Sequence, residues 1–378
     1  MKLHEYQAKE LFARYAIPVQ NGVVIERPQQ VEGIALTYPL VLKAQVLVGG
    51  RGKAGGIKLA STPDEAKRHA AAILGMQIKG EKVRRLVVAE AAEIGAEYYL
   101  AFTIDRPARR MGVIASAAGG IDIEEVARST PDKIARGTVD PFFGFHPYQA
   151  RQLGRRLGLG GSLLSDFVAV ATALYRVCVS EDAELVEVNP LAVVTGRPFD
   201  AAGGPRLLAV DAKVILDDNA VYRHSGLPKN EELTELEAAA RAEGLSYVEL
   251  DGDLAIIGNG AGLVMATLDM VAHFGGRPAN FLDVGGGATT ENMKQAIEIV
   301  VRKPGVRGLL INIFGGITRC DDIARGIVDA RSPVDMVVRL TGTNEDEGRR
   351  ILESAGIHAY VDPQEAARRV VALVAHGA

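Results

Sequence analysis

Apolar and polar positions along this chain follow two textures. Over roughly residues 1–225, helical and extended patterns mix at irregular spacing. Leu3, Tyr6, Leu11, Phe12 and Tyr15 form an imperfect apolar stripe that predicts a helix over Leu3–Tyr15. Apolar runs predict strands near Val23–Ile25 and Pro39–Gln45, then a short strand Ile57–Ala60 beyond a glycine-rich stretch, and a helix Pro63–Leu74. Arg85–Glu90, Glu97–Asp105 and Arg110–Ser116 read as successive strands of one meander. Two helices are expected over about 146–179, and closing strands at Ala183–Val194 and Arg206–Asp211. From about residue 238 the pattern becomes regular. Apolar runs at Asp253–Gly258, Asn280–Val284, Gly308–Phe314 and Val334–Leu340 are separated by helical stretches near 261–274, 289–302, 320–331 and 344–355. Continuous apolar runs between helices indicate parallel strands buried on both faces, a doubly wound sheet. The acidic stretch Glu231–Glu243 reads as the connector between the two textures.

Composition narrows the function classes. The chain has 378 residues, enough for two or three domains, with 48% hydrophobic and 24% charged residues. Its net charge of −4 offers no basic field for nucleic acid or an anionic membrane. Cys178 and Cys320 are the two cysteines, so neither a disulfide framework nor a CxxC metal pattern exists. Met1–Glu5 leads straight into an amphipathic helix, and no apolar run approaches the ~18–20 residues of a membrane span. The expectation is a cytoplasmic protein without a signal peptide.

Candidate chemistry begins at Gly49–Gly56, which contains GxGxxG by its letters. A dinucleotide site requires a helix after that motif. Here the strand-like Ile57–Ala60 follows, and GxxxxGK[ST] is absent, so both the Rossmann and the P-loop readings fail. A glycine-rich strand–loop–strand can still fold over a triphosphate and donate backbone N–H groups, or it is a flexible hairpin. Lys43 lies in the apolar run Leu40–Lys43, where a charge is costly unless paired. It either meets phosphate or snorkels from an edge strand. Glu187-Val188-Asn189-Pro190 ends one strand and Val210–Lys213 another. If the two pair, Asn189 and Asp211 meet. A few oxygen ligands completed by phosphate is the usual way Mg²⁺ is held. The alternative is a strand-ending turn and a cap. In the second texture, glycine-rich turns at Gly258–Gly262, Gly285–Ala288 and Gly315–Gly316 fall where parallel strands end and helices begin, the usual ligand position in such sheets. Tight strand–helix packing is the other reading of each turn, and the better one for Gly285–Gly287. Thr318–Asp321 resembles a capping box that marks a helix start.

Taken in order, Leu3–Lys9, Gly49–Gly56, Glu187–Leu191, Asn259–Leu263, Leu282–Ala288 and Asn312–Ile317 resemble the succinyl-CoA synthetase β-subunit family from end to end. The resemblance implies an α/β chain: an ATP-grasp nucleotide-binding domain of two subdomains over 1–237, then a doubly wound, flavodoxin-like CoA-ligase domain over 238–378. It implies reversible formation of succinyl-CoA from succinate and CoA, driven by ATP or GTP, in the citric acid cycle. Lys43, Gly50, Arg51 and Gly52 would hold nucleotide phosphates. Glu90 and Glu93 would border the purine, in a segment one residue shorter than in familiar members, and Glu97 would face ribose or phosphates. Asn189 and Asp211 would bind one Mg²⁺. Asn259, Gly316, Ile317 and Thr318 would contact the organic acid. Gln20, after Ile17-Pro18-Val19, stands where the family associates Gln with GTP users and Pro with ATP users. The family routes its chemistry through a phosphohistidine on an α subunit. His4, His69, His146, His224, His273, His358 and His376 all lie outside glycine-rich loops, so the chain reads as half an enzyme, in an αβ or α2β2 assembly. The β subunit of malate–CoA ligase shares every motif quoted. A nucleotide-sensing subunit without catalysis is a reading of another class, and the intact Lys43, Asn189 and Asp211 set argues against it.

Overall fold

The structure, a computed structural model, describes residues 1–195, 204–224, 226–227 and 233–376. The chain divides into two compact units, Met1–Glu232 and Leu233–Ala378.

Two antiparallel sheets build the first unit. The smaller runs in the order Gly22–Ile25, Arg85–Glu90, Leu40–Gln45, Ile57–Ala60. Leu40–Gln45 is an interior strand, and alternation sends Leu40, Leu42 and Ala44 into a core with the helix Pro63–Ile73. Val41 goes to the opposite face, with Val87 and Ala89, against Tyr6 of the first helix, Glu5–Arg14. Lys43 shares that second face by the same alternation. The larger sheet runs Arg206–Ala209, Ala183–Thr195, Glu93–Asp105, Arg110–Ser116, Ile134–Val139, and Lys213–Leu216 also pairs with Ala183–Thr195. Its core takes Ala8, Leu11 and Phe12 from the first helix and Phe167, Leu174 and Val177 from the helix Gly161–Ser180.

The second unit holds one six-stranded sheet in the order Ser246–Glu249, Asn280–Asp283, Leu254–Gly258, Gly308–Gly315, Asp335–Gly342, Ala359–Tyr360. The first strand is antiparallel and the rest are parallel. Without that edge strand the order is the flavodoxin-like one, whose switch point falls between Leu254–Gly258 and Gly308–Gly315. Helices Ala261–His273 and Pro363–His376 pack on one face, and Thr290–Val300 and Cys320–Ala330 on the other.

Several expectations are corrected. Arg85–Glu90 and the strand after it belong to different sheets, so the meander is broken at Ala91–Ala92. The strand carrying Glu187–Pro190 does not stop there but runs to Thr195, and Arg206–Asp211 is the shorter Arg206–Ala209 followed by a separate strand. The connector is no connector. Its helix spans Glu235–Ala242, capped by Thr234 with Glu237, and buries Leu236 and Ala240 in the second unit's core, while Glu231 and Glu232 lie outside the described residues. The helix Gly161–Ser180 is, against expectation, long and apolar enough by length and composition to cross a bilayer. Phe167, Val170, Ala171, Leu174 and Val177 seat it against the larger sheet instead.

Candidate functional site

The first unit gathers its charges around one carboxylate. Glu5 opens the first helix, and its side chain is 2% exposed. Its Oε1 lies 2.7 Å from Lys9 Nζ, one helical turn on, and 3.2 Å from Lys43 Nζ. Its Oε2 accepts from Arg51 Nη1 at 2.6 Å and from Gln45 Nε2 at 3.4 Å. Lys43 is buried and also donates to Gln20 Oε1 at 2.9 Å and the Val210 carbonyl at 2.7 Å. The interior strand therefore holds its lysine inward. Arg51 reaches from the glycine loop, donating to the Ala44 carbonyl at 3.0 Å and, through Nη2, to Asp211 Oδ2 at 2.6 Å. Burial alone would raise the Glu5 carboxyl, but Lys43, Lys9 and Arg51 outweigh it and hold it well below the usual range. Burial lowers the Lys9 ammonium to about 8, helped by Lys43 and opposed by Glu5. Lys9, Lys43 and Arg51 face Glu5 and Asp211, which leaves one net positive charge suited to an anion.

The glycine loop does sit between two strands. Ala54, Gly55 and Gly56 donate their N–H groups back to Gly50, Gly52 and Arg51, and Gly50 adopts φ +90°. Among the described residues, the N–H groups of Gly50, Arg51 and Gly52 are donated to no acceptor within the chain. They remain available to an oxyanion.

Asn189 and Asp211 meet through register. Leu191 pairs with Ala209 on one side and Glu187 with Lys213 on the other, both in the same register, which places Asp211 opposite Asn189. The ladder opens between the two short strands at that point, and Pro190 supplies a carbonyl to Val210 N–H but has no donor of its own. Asn189 Oδ1 accepts from Gly120 N–H at 2.7 Å and its amide donates to the Ile121 carbonyl at 2.9 Å. The loop that does this went unnoticed in the sequence. A Cβ on Gly119 would stand 2.4 Å from the Tyr98 carbonyl oxygen, so only glycine lets the loop lie there. Gly119 N–H donates to the Glu97 carbonyl at 3.0 Å, and Gly120 lies against the Glu97 carboxylate. Glu187, beside this pair, accepts from Tyr99 Oη at 3.2 Å. Burial raises its carboxyl, with Lys213 opposing.

Gln20 is buried rather than presented to a ligand. Its Oε1 accepts from Lys43 and its Nε2 donates to the Glu90 carbonyl at 2.8 Å, so both amide ends are committed in one orientation. The Glu90 carboxylate accepts from Thr37 N–H at 2.7 Å, and Glu93 is exposed at the start of the long strand. Sequence reasoning missed Glu5, Lys9 and Gln45. A signal existed: Glu5 and Lys9 share the helix face of Ala8 and Phe12, where a charge needs a buried partner.

In the second unit three side chains stitch the glycine-rich turns together. Asp283 Oδ1 accepts from Gly260 N–H at 2.6 Å and Gly285 N–H at 2.7 Å. Asn259 exchanges two hydrogen bonds with the Phe314 backbone at 2.9 and 3.0 Å, across the switch point. Thr318 is buried and its hydroxyl accepts from Gly287 N–H at 3.0 Å. The capping box expected at Thr318 is therefore not formed; Arg319 holds the cap position and Cys320 N–H donates to the Thr343 carbonyl at 2.9 Å. Gly316 and Ile317 are exposed beside an open cleft lined by Gly287, Thr289, Thr290, Arg319 and Asp322. The arrangement presents turn backbone and a helix N-terminus to solvent, chemistry suited to a carboxylate.

Two family models match the chain: an ATP-grasp domain over residues 2–193 and a CoA-ligase over residues 257–373. The chain is 48% identical over 387 positions to the succinate–CoA ligase [ADP-forming] subunit beta of Pyrobaculum islandicum, covering 99% of both. It is 47% identical over 385 positions to the succinate–CoA ligase [GDP-forming] subunit beta of Thermus thermophilus, again covering 99% of both. A solved structure of ATP citrate lyase from Methanothrix soehngenii, in complex with citrate and coenzyme A, superposes with TM-score 0.74 at 20% identity over 99% of each chain, a likeness of fold.

Proposed function

The chain belongs to the succinate–CoA ligase β-subunit family, and from that premise we propose that it binds the nucleotide and the organic acid for a reaction completed by an α subunit. The observation that carries this is the pairing of a buried phosphate-type cation set, Lys43 and Arg51, with the Asp211 carboxylate opposite Asn189. The reaction is succinate + CoA + NTP ⇌ succinyl-CoA + NDP + phosphate. Lys43, Arg51 and the N–H groups of Gly50–Gly52 hold the phosphates by charge and direct donation. Glu90, Glu93 and Glu97 line the base and ribose side. Asn259 and the Gly316–Thr318 turn receive the acid, and the phosphoryl group passes to a histidine of the α subunit, which also carries most of the CoA site.

The residues fit Mg²⁺. Asn189 and Asp211 are hard oxygen donors at one register position, and the Arg51 guanidinium already lies on Asp211 as a stand-in cation. Bound there, Mg²⁺ supplies charge neutralisation for the phosphate oxygens. Arg51 must exchange Asp211 for phosphate to release that carboxylate. We place the enzyme in the cytoplasm, as an αβ or α2β2 assembly, with both cysteines as buried free thiols.

The test is co-purification with the companion α subunit, then thioester formation with succinate or malate and with Mg-ATP or Mg-GTP. Succinate-dependent turnover is expected. Turnover with malate alone would replace the substrate, and absence of NDP–NTP exchange in the assembled complex would leave only a nucleotide-sensing role.

A further inference from the structure

We propose that Glu5 is a positioning residue of the nucleotide site, one carboxylate that sets the spacing of the two phosphate-binding cations. The inference rests on the reading above that Lys43 and Arg51 meet phosphate. Lys43 comes from an interior strand and Arg51 from a loop, and Glu5 is the side chain that touches both, Lys43 through Oε1 and Arg51 through Oε2. A buried ion pair that merely anchored the helix would need one partner. Such pairs add little stability over an apolar core. Here Oε1 takes Lys43, and Oε2 takes Arg51 at 2.6 Å and, at the longer 3.4 Å, Gln45 of the Lys43 strand, so one carboxylate ties the loop cation to the strand that carries the other.

Lys9 makes the division work. It takes the short contact on Oε1, 2.7 Å, and leaves Lys43 at 3.2 Å with its ammonium shared among Glu5, Gln20 and the Val210 carbonyl. Lys43 is thus shared among three acceptors rather than captured by Glu5 alone. Arg51 uses Nη1 on Glu5 and Nη2 on Asp211. A phosphate oxygen entering this site would take Nη2 from Asp211, while Nη1 would keep its hold on Glu5. The carboxylate is the pivot of that exchange.

Glu5→Gln keeps size and hydrogen-bonding capacity but removes the charge. In the assembled αβ enzyme its kcat is expected to fall by about a hundredfold, as displaced catalytic contacts do, while the nucleotide KM moves by less than about threefold. The double variant Glu5→Gln/Lys9→Gln restores the net charge of the cluster. It is expected to recover thermal stability and not kcat. A parent-level kcat in Glu5→Gln, or recovery of kcat in the double variant, would overturn the proposal in favour of simple charge balance. If Glu5→Gln fails to fold, the double variant is measured alone, and a parent-level kcat overturns the idea as well. Unchanged nucleotide KM and kcat in Lys43→Gln would instead sink the underlying nucleotide-site reading.

Discussion

At the scale of residues, charge inside an apolar pattern was the most legible signal. Lys43 stood out because its neighbours in the run are apolar, and it is indeed buried on three acceptors, Glu5, Gln20 and the Val210 carbonyl. Glu5 and Lys9 passed unnoticed because charges in the opening turns of a helix are usually solvated. Lys9 pairs with Glu5 one turn away, but the Glu5 partners Lys43 and Arg51 lie 38 and 46 positions away. Gln20 illustrates the other limit. Its place was readable, but its amide proves to join Lys43 to the Glu90 carbonyl. Gln20→Pro removes both contacts and the Gln20 N–H bond to the Ala209 carbonyl. Because the lost contact is one of the three that hold Lys43, the expected result is a raised nucleotide KM for ATP and GTP alike; an unmoved KM would show that the amide does not position Lys43. Lys9 offers a pH test. Its folded value, about 8, lies below the ordinary 10.5, so between those values the unfolded chain binds more protons and stability rises with pH. Stability of the parent relative to Lys9→Met should be level below pH 7 and climb through that window by up to about 3 kcal/mol. Parallel denaturation curves at each pH would check it, and a level difference to pH 10.5 would contradict the burial argument.

Among elements, the second unit was legible because parallel strands covered on both faces read as unbroken apolar runs. The edge strands Ser246–Glu249 and Ala359–Tyr360 were not, being short and only partly buried. The first unit misled where Arg85–Glu90 passes into the long strand from Glu93 with no glycine or proline at the crossing between sheets. The Asn189–Asp211 pairing was readable as a possibility and depends on a register that only the sheet supplies. Two glycines test the elements that hold the sites. Gly119→Ala forces its Cβ toward the Tyr98 carbonyl oxygen and should push the loop off Asn189. Mg²⁺ titration of activity should then show a half-saturating concentration raised about tenfold, with succinate KM unmoved. Gly342 has φ +123°, and a Cβ there would stand 2.0 Å from the Gly315 carbonyl oxygen. Gly342→Ala should lose about 2–3 kcal/mol and raise succinate KM while sparing nucleotide KM. The reverse pattern in steady-state kinetics would misplace the acid site.

For the molecule as a whole, the order of six short motifs carried more information than any one of them, because together they span both units. Among the described residues, each core cluster draws on one unit, and those of the second begin at Leu236. A fragment starting at Leu233 should therefore unfold cooperatively on its own, as followed by circular dichroism, and a featureless melt would refute the division. The proposed chemistry divides differently, between this chain and an α subunit. Labelling with γ-³²P nucleotide should give phosphohistidine only when an α subunit is present. Stable phosphohistidine on this chain alone would end the half-enzyme reading.

The first strands and helix of the chain are closed by its 200s. Lys43 donates to the Val210 carbonyl, and Leu3 N–H to the Val214 carbonyl at 3.0 Å. On a ribosome, Lys43 therefore waits for residue 210 to be made, roughly 8–33 s at ordinary elongation rates. Throughout that interval Glu5, Lys9, Lys43 and Arg51 lack the far side of their enclosure. The proposed nucleotide site is among the last parts of its unit to close, so nascent chains stalled before residue 210 are the ones that holdase chaperones and proteases would meet.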